Sequence, residues 1–129
     1  MTHQECRFCH ETKPLDAFPN NKRYPNNKDN RCRECMKDYT KENKIRRQRA
    51  IDDGILYEGA ECPICLTTTT MDYKKSMKHF AVVDHCHETG ETRGVLCSTC
   101  NGAIGKIGDS LQAAERAVEY LKGSTCSHL

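Results

Sequence analysis

The sequence has no tryptophan, three phenylalanines and five tyrosines in 129 residues, and only 36% of it is hydrophobic. A chain of that size and composition cannot build a large apolar core, so it forms one ordinary domain or two very small ones, with something else holding them together. Long apolar runs are missing too. The N-terminus, MTHQECRFC, carries no stretch of signal-peptide length, and no later segment is long enough to span a membrane. The expectation is a cytoplasmic protein with no membrane partner. Net charge is small, a formal +2 from 20 Lys/Arg and 18 Asp/Glu, but residues 22–49 hold eleven Lys/Arg against four Asp/Glu.

What is abundant is cysteine, ten in all. In a reducing compartment, close pairs of cysteines are metal ligands more often than disulfides. Cys6-Arg-Phe-Cys9 and Cys32-Arg-Glu-Cys35 flank a loop rich in turn signals, Pro14, Pro19 and Pro25 with Asn-Asn at 20–21 and 26–27. Two thiolates three residues apart can occupy adjacent corners of a tetrahedron at about 2.3 Å from zinc. Such a site contributes on the order of 10–16 kcal/mol of apparent folding free energy, which substitutes for the missing core. A second set, Cys62-Pro-Ile-Cys65 and Cys97-Ser-Thr-Cys100, repeats the pattern. Sequential pairing, 6/9/32/35 and 62/65/97/100, lets each module close its own loop. A cross-braced arrangement would join the first pair to the third and the second to the fourth.

Between the two sets, residues 36–53 have helix-forming composition with Gly54 as a stop, and their sparse apolar positions predict a largely solvated helix. Lys37, Lys41, Lys44, Arg46, Arg47 and Arg49 then make a cationic rod suited to phosphate contacts. Residues 54–61 read as a connection, and 67–79, with the TTTT run, as a surface loop or irregular hairpin. Phe80–Val83 and Arg93–Leu96 are short β-type runs joined by the turn-rich ETGET, and a helical turn or two follows Cys97. Asn101 is rotated by about 100° from Cys100 on such a helix and can look back across the hairpin. Asp109 or Ser110 caps a last helix in which Leu111, Ala114, Val118 and Leu121 share a face, expected to be core or packing. His3, His10, His79, His128 and Cys126 fall in no pattern.

VVDHCHETGETRGVLCSTCNGAIGKIGDS, with the preceding CPIC, resembles the recombination endonuclease VII family of phage-type DNA endonucleases, within the wider HNH or ββα-metal nucleases. The resemblance covers about residues 62–122 and rests on CxxC, then DHxHxTGxxRGxLCxxCN, then a GD step into a terminal helix. It implies a structural zinc on Cys62, Cys65, Cys97 and Cys100, a catalytic divalent metal on Asp84 and Asn101, and His85 as general base. It also implies a phage-encoded protein acting inside the host cell. Two departures stand out. Ile104 occupies the position where a glutamate joins the active site in the best-known type of the family. The long helical C-terminal region through which junction-resolving members dimerise has no counterpart after Lys122, so junction specificity is not expected.

The implied chemistry is physically coherent. A neutral imidazole with a reference pKa near about 6.5 can take a proton from water at cellular pH. A hard cation such as Mg²⁺ or Mn²⁺ on one carboxylate and one amide oxygen keeps open positions for phosphate and water. In a regular strand Asp84 and His85 would face opposite ways, so the strand is expected to end or bulge there. His87 is a candidate for steadying the phosphate or assisting the leaving group, and Arg93 for clamping a phosphate. Cys86 is read as neither ligand nor nucleophile.

The expected architecture is a small, zinc-stabilised α+β protein: an N-terminal zinc module with a basic helix at 1–58, then a ββα-metal nuclease module at 59–129. The expected activity is metal-dependent cleavage or nicking of DNA, with a larger complex or a homodimer as further partners it allows. The alternative is a zinc-dependent nucleic-acid- or partner-binding protein whose nuclease-like site is degenerate.

Overall fold

Helix α1, Arg33–Asp52, is the longest element and buries only Ala50, as its charged sequence requires. The computed structural model describes residues 2–123; Cys126 and His128 lie outside them. The chain divides into two compact units between Gln48 and Arg49. Among the described residues no helix is long and apolar enough to cross a membrane.

In the first unit, β1 (His3–Glu5) pairs antiparallel with β2 (Thr12–Pro14), and a 3-10 turn follows at Leu15–Ala17. Phe18 packs with Cys6 and Cys32 in the unit's small core. The Arg31 guanidinium lies over the rings of Phe8 and Tyr39, at 3.9 and 4.2 Å from their centroids, in cation–π geometry. Helix α1 begins three residues earlier than its composition predicts. The reason is local: Cys32 stands just before it, and its carbonyl accepts the first-turn amide of Met36 at 2.9 Å.

The helix stops where glycine allows it to. Gly54 takes φ 75°, and the amides of Ile55 and Leu56 turn back onto the Ala50 carbonyl. Residues 54–61, expected to be a mere connection, add Leu56 and Ala60 to the buried set, and Leu56 packs with Ala50 and Ala81. Of the surface loop or irregular hairpin expected over 67–79, the threonine run takes irregular pairing, with bridges Glu61–Thr68 and Thr70–Phe80, and its second half is not at the surface. Thr69 and Thr70 are buried, and the Ala60 carbonyl accepts both the amide and the hydroxyl of Thr69 at 2.8 and 2.6 Å. A satisfied hydroxyl removes the penalty that would keep threonine outside. Thr70 exchanges backbone hydrogen bonds with His79 and Ala81, extending the edge of the next hairpin.

That hairpin is β3 (Ala81–His85) antiparallel to β4 (Thr92–Cys97), followed directly by α2 (Ser98–Lys106) and then α3 (Leu111–Lys122). Helix α2 packs against both strands. Its inner side meets a core made of Cys62, Leu96, Cys97 and Cys100, with Ile104 alongside. Ser110 caps α3 by accepting the Ala113 amide. The apolar face of α3, expected as core or packing, is not core: Leu111, Val118 and Leu121 are 71%, 50% and 50% exposed, and Ala114 is half-buried. Periodicity shows that a face exists, not that the same chain supplies its partner. Five of the eleven buried apolar residues described are cysteines, so thiol clusters occupy much of what would otherwise be core.

Candidate active site and metal centres

Three turns in this chain share one backbone design. At Cys6, the cysteine amide donates to the Glu11 carbonyl and the His10 amide returns to the Cys6 carbonyl, both at 2.9 Å. Cys62 repeats this with Thr67 and Leu66, and Cys86 repeats it with Glu91 and Gly90. The fifth residue is left-handed each time: His10, Leu66 and Gly90 have φ of 61°, 63° and 76°. The flanking bridge also recurs, as Glu5 to Thr12, Glu61 to Thr68 and His85 to Thr92. Tight closure of this kind bends the first turn residue's sulfur back toward following amides, such as that of Phe8, 3.5 Å from the Cys6 Sγ. The sequence signal is a spaced repeat, ECRFCHET, ECPICLTT and HCHETGET, that the reading by cysteine pairs alone passes over.

In the first two turns the fourth residue is a second cysteine, and each pair meets another pair at the start of a helix. Cys32 precedes α1 and Cys35 lies in its first turn; Cys97 caps α2 and Cys100 lies in its first turn. The four sulfurs of Cys6, Cys9, Cys32 and Cys35 fall within 4.8 Å of one another, and so do those of Cys62, Cys65, Cys97 and Cys100. Each module therefore closes its own group, and the cross-braced arrangement is not formed. Bonds of about 2.3 Å to a tetrahedral zinc put sulfurs about 3.8 Å apart. Cys6 and Cys35 are separated by 3.8 Å, Cys65 and Cys97 by 3.7 Å. The donor sets fit the ion.

Their electrostatics fit as well. Burial pushes the Cys6 and Cys62 thiols up, but surrounding amides, led by those of Cys32 and Cys97 respectively, outweigh it and bring both down to about 6. Burial, followed by the neighbouring sulfurs, pushes Cys35 and Cys100 up to about 12. Each group thus readily holds negative charge and resists accumulating four charges, a balance that a divalent cation reverses. Lys13 adds a positive charge to the first group, 3.5 Å from the Cys32 Sγ and 2.9 Å from Glu34.

The third turn has Thr89 in place of the second cysteine. Cys86 is half-buried, outside both four-sulfur groups, its thiol held down first by the Thr89 hydroxyl and then by the Thr89 and Glu88 amides. The hairpin it closes carries the register shift between Asp84 and His85, where the sequence required an irregularity. His85 pairs with Thr92 and Asp84 with Gly94, so the extra residue is Arg93, on β4. A bulge re-aims the side chain of its extra residue. Here the Arg93 Nε and Nη2 meet the two Asp84 carboxylate oxygens at 2.7 and 3.0 Å, and Nη2 also meets Asp109 at 2.5 Å.

The imidazoles lie close to this ion cluster. The rings of His85 and His87 have centroids 5.0 Å apart with planes inclined by 30°. Asp109 is held below the usual carboxylate range, first by Arg93, with His87 and His85 adding smaller pulls. Asp84, Arg93 and Asp109 line a groove of about 370 Å³ together with Ile64, Ile104 and Ile107. Asn101 is half-buried on α2, next to Cys100 of the second sulfur group. With Ser110 capping α3, the Asp109 carboxylate, the other candidate cap, serves Arg93 instead. Ile104 packs on the second sulfur group.

On α1, Lys37, Lys41, Lys44 and Arg49 are exposed, whereas Arg46 and Arg47 are half-buried and Arg46 bonds the Asn43 side chain at 2.7 Å. Burial lowers the pKa of Arg47.

An antiparallel hairpin leading into a helix, pinned at the hairpin's end by four sulfurs, defines a module of the ββα-metal class. The fold matches the crystal structure of the ββα-metal type II restriction endonuclease Hpy99I with a TM-score of 0.50 and 26% identity, over 94% of this chain and 65% of that one. The chain belongs to the recombination endonuclease VII family, whose family model matches residues 45–123. It is similar to the Gene 59 proteins of Mycobacterium phages D29 and L5, 36% identical over 67 and 66 residues respectively. Those matches cover 51% and 50% of this chain but 37% of each relative, so the chain spans just over a third of their length.

Proposed function

We propose that the protein is a metal-dependent DNA endonuclease or nickase in which His85 is the general base and Asp84 and Asn101 hold Mg²⁺ or Mn²⁺. The observation that carries this reading is the β3–β4–α2 unit with Asp84 and His85 side by side at a bulge, in a chain of a nuclease family. The site already holds a cation on oxygen ligands, the Arg93 guanidinium on Asp84, so its donors suit positive charge. A divalent ion bound there would stabilise the charge developing on the phosphate and keep room for water. His85 accepts the proton of the attacking water, His87 steadies the phosphate or assists the leaving group, and Arg93 meets a phosphate oxygen.

Zinc on both four-sulfur groups keeps this geometry, the second group by fixing the end of β4 and the start of α2. The division of labour is between residues 1–58, which bind duplex DNA through Lys37, Lys41, Lys44, Arg46, Arg47 and Arg49, and residues 59–129, which cut. The second reading, a zinc-dependent binding protein with a degenerate site, draws on Ile104, which brings no carboxylate to the groove. Supercoiled plasmid with Mg²⁺ or Mn²⁺ separates the two. Wild type should nick it, and His85→Ala should lose roughly 10²–10⁴-fold in rate; equal nicking by both, or none by either, goes against the enzyme.

A further inference from the structure

We propose that Arg93 is a built-in counter-ion that holds the Asp84 carboxylate for a divalent cation, and that Asp109 is the positioning residue that retains the guanidinium beside the site when the cation takes Asp84. This rests on the reading that Asp84 is a metal ligand.

Three features of the cluster support it. Arg93 is the extra residue of the bulge, so a local break in the ladder is spent on aiming this one side chain. The Asp84 and Asp109 side chains are 12% and 17% exposed, against 39% for Arg93, so the guanidinium covers two sheltered carboxylates that would otherwise repel. Asp109 stands at φ 53°, a left-handed conformation that aspartate adopts more readily than most side chains, and the α3 cap is already supplied by Ser110. Its carboxylate is thereby free to take a single bond from Nη2 while Asp84 takes two.

The unequal bonding has a consequence for charge. With Arg93 across both carboxylates the trio is net −1. A divalent cation on Asp84, with Arg93 kept on Asp109, makes it net +1, which suits an anionic phosphate. The displaced guanidinium then has a phosphate oxygen to bond. Metal and DNA each favour the other's binding, and by linkage the two effects are equal. Without Asp109 the guanidinium has Asp84 as its one remaining carboxylate partner in the trio and competes harder with the metal.

The test is Mn²⁺ binding to the zinc-loaded full chain without DNA, followed by the electron paramagnetic resonance signal of free Mn²⁺, with zinc content verifying the fold of each variant. Arg93→Gln should tighten Mn²⁺ binding about tenfold and Asp109→Asn should weaken it about tenfold, within the usual range of site coupling. In the Arg93→Gln background, Asp109→Asn should change it less than about threefold, because its effect runs through the arginine. Unchanged or weaker binding by Arg93→Gln overturns the counter-ion. An equal loss from Asp109→Asn in both backgrounds overturns the positioning role, since Asp109 would then act on the cation directly. If wild type binds no Mn²⁺ beyond the sulfur sites, the metal-ligand reading itself fails, whereas failure of the variants alone leaves that reading standing.

Discussion

The hairpin around Cys6 and the hairpin around Cys86 are built on the same turn, and their differences separate a structural clamp from a candidate active site. Both place a basic residue seven positions after the cysteine, Lys13 and Arg93. In the first, the ladder runs regularly through Gln4 and Lys13, and the ammonium goes to a sulfur group and Glu34. In the second, Thr89 stands in place of the second cysteine, the ladder breaks at Arg93, and the guanidinium goes to Asp84 and Asp109. One turn carries at its tip a four-sulfur group that fits a metal. The other is fixed at the far end of its strands, at Cys97, which leaves its tip and bulge available for chemistry.

The largest expected effect comes from breaking the clamp. Cys97→Ser should cost a large share of the roughly 10–16 kcal/mol of a structural zinc site and unfold the second unit, read as lost zinc and collapsed amide dispersion by NMR. Cys86→Ser should leave zinc content unchanged and cost under about 1 kcal/mol, although it alters the same turn design. Next in size, Lys13→Ala should weaken the first zinc site about 10–100-fold in chelator competition and leave the second unaffected.

The thiol balance sets a pH dependence. At neutral pH Cys35 and Cys100, pushed up to about 12, carry protons that zinc must displace, whereas Cys6 and Cys62, brought down to about 6, are mostly thiolate. Zinc binding should therefore release protons, measurable by calorimetry in buffers of different ionisation enthalpy. Affinity should fall more steeply below pH 6, where Cys6 and Cys62 also become protonated. For the metal-free fold, the lowered Cys6 and Cys62 contribute stability above their unfolded pKa of 9.0, lost as pH falls through about 6.

Charge reversal at Lys37, Lys41 and Lys44 should lower DNA affinity across sequences and flatten the salt dependence by about one logarithmic unit per lost phosphate contact. A modest effect separates the turns by conformation alone. Gly90→Ala at φ 76° should destabilise by about 1–2 kcal/mol in thermal unfolding.

Much of this was legible in the residues. Cysteine spacing pointed to two self-contained sulfur groups, Gly54 to the end of α1, and the opposed faces of Asp84 and His85 to an irregular ladder. What was not legible depends on tertiary partners. Thr69 and Thr70 look like surface residues until Ala60, His79 and Ala81 answer their hydrogen bonds. The α3 stripe looks like core because periodicity is blind to whether anything covers it. Of Asp109 and Ser110 as helix caps, Ser110 is the one, and the bond between Asp109 and Arg93 shows only once the bulge has aimed the arginine. The repeated turn was present in the sequence but was hidden by reading cysteines in pairs.

Anomalous scattering from crystals of the zinc-loaded protein with DNA and Mn²⁺ tests the central claim most directly. The account predicts a manganese peak between Asp84 and Asn101, apart from two zinc peaks within the sulfur groups, with Arg93 still bonded to Asp109. Zinc peaks alone, with Asp84 still bound to Arg93 and no ion beside Asn101, would contradict it.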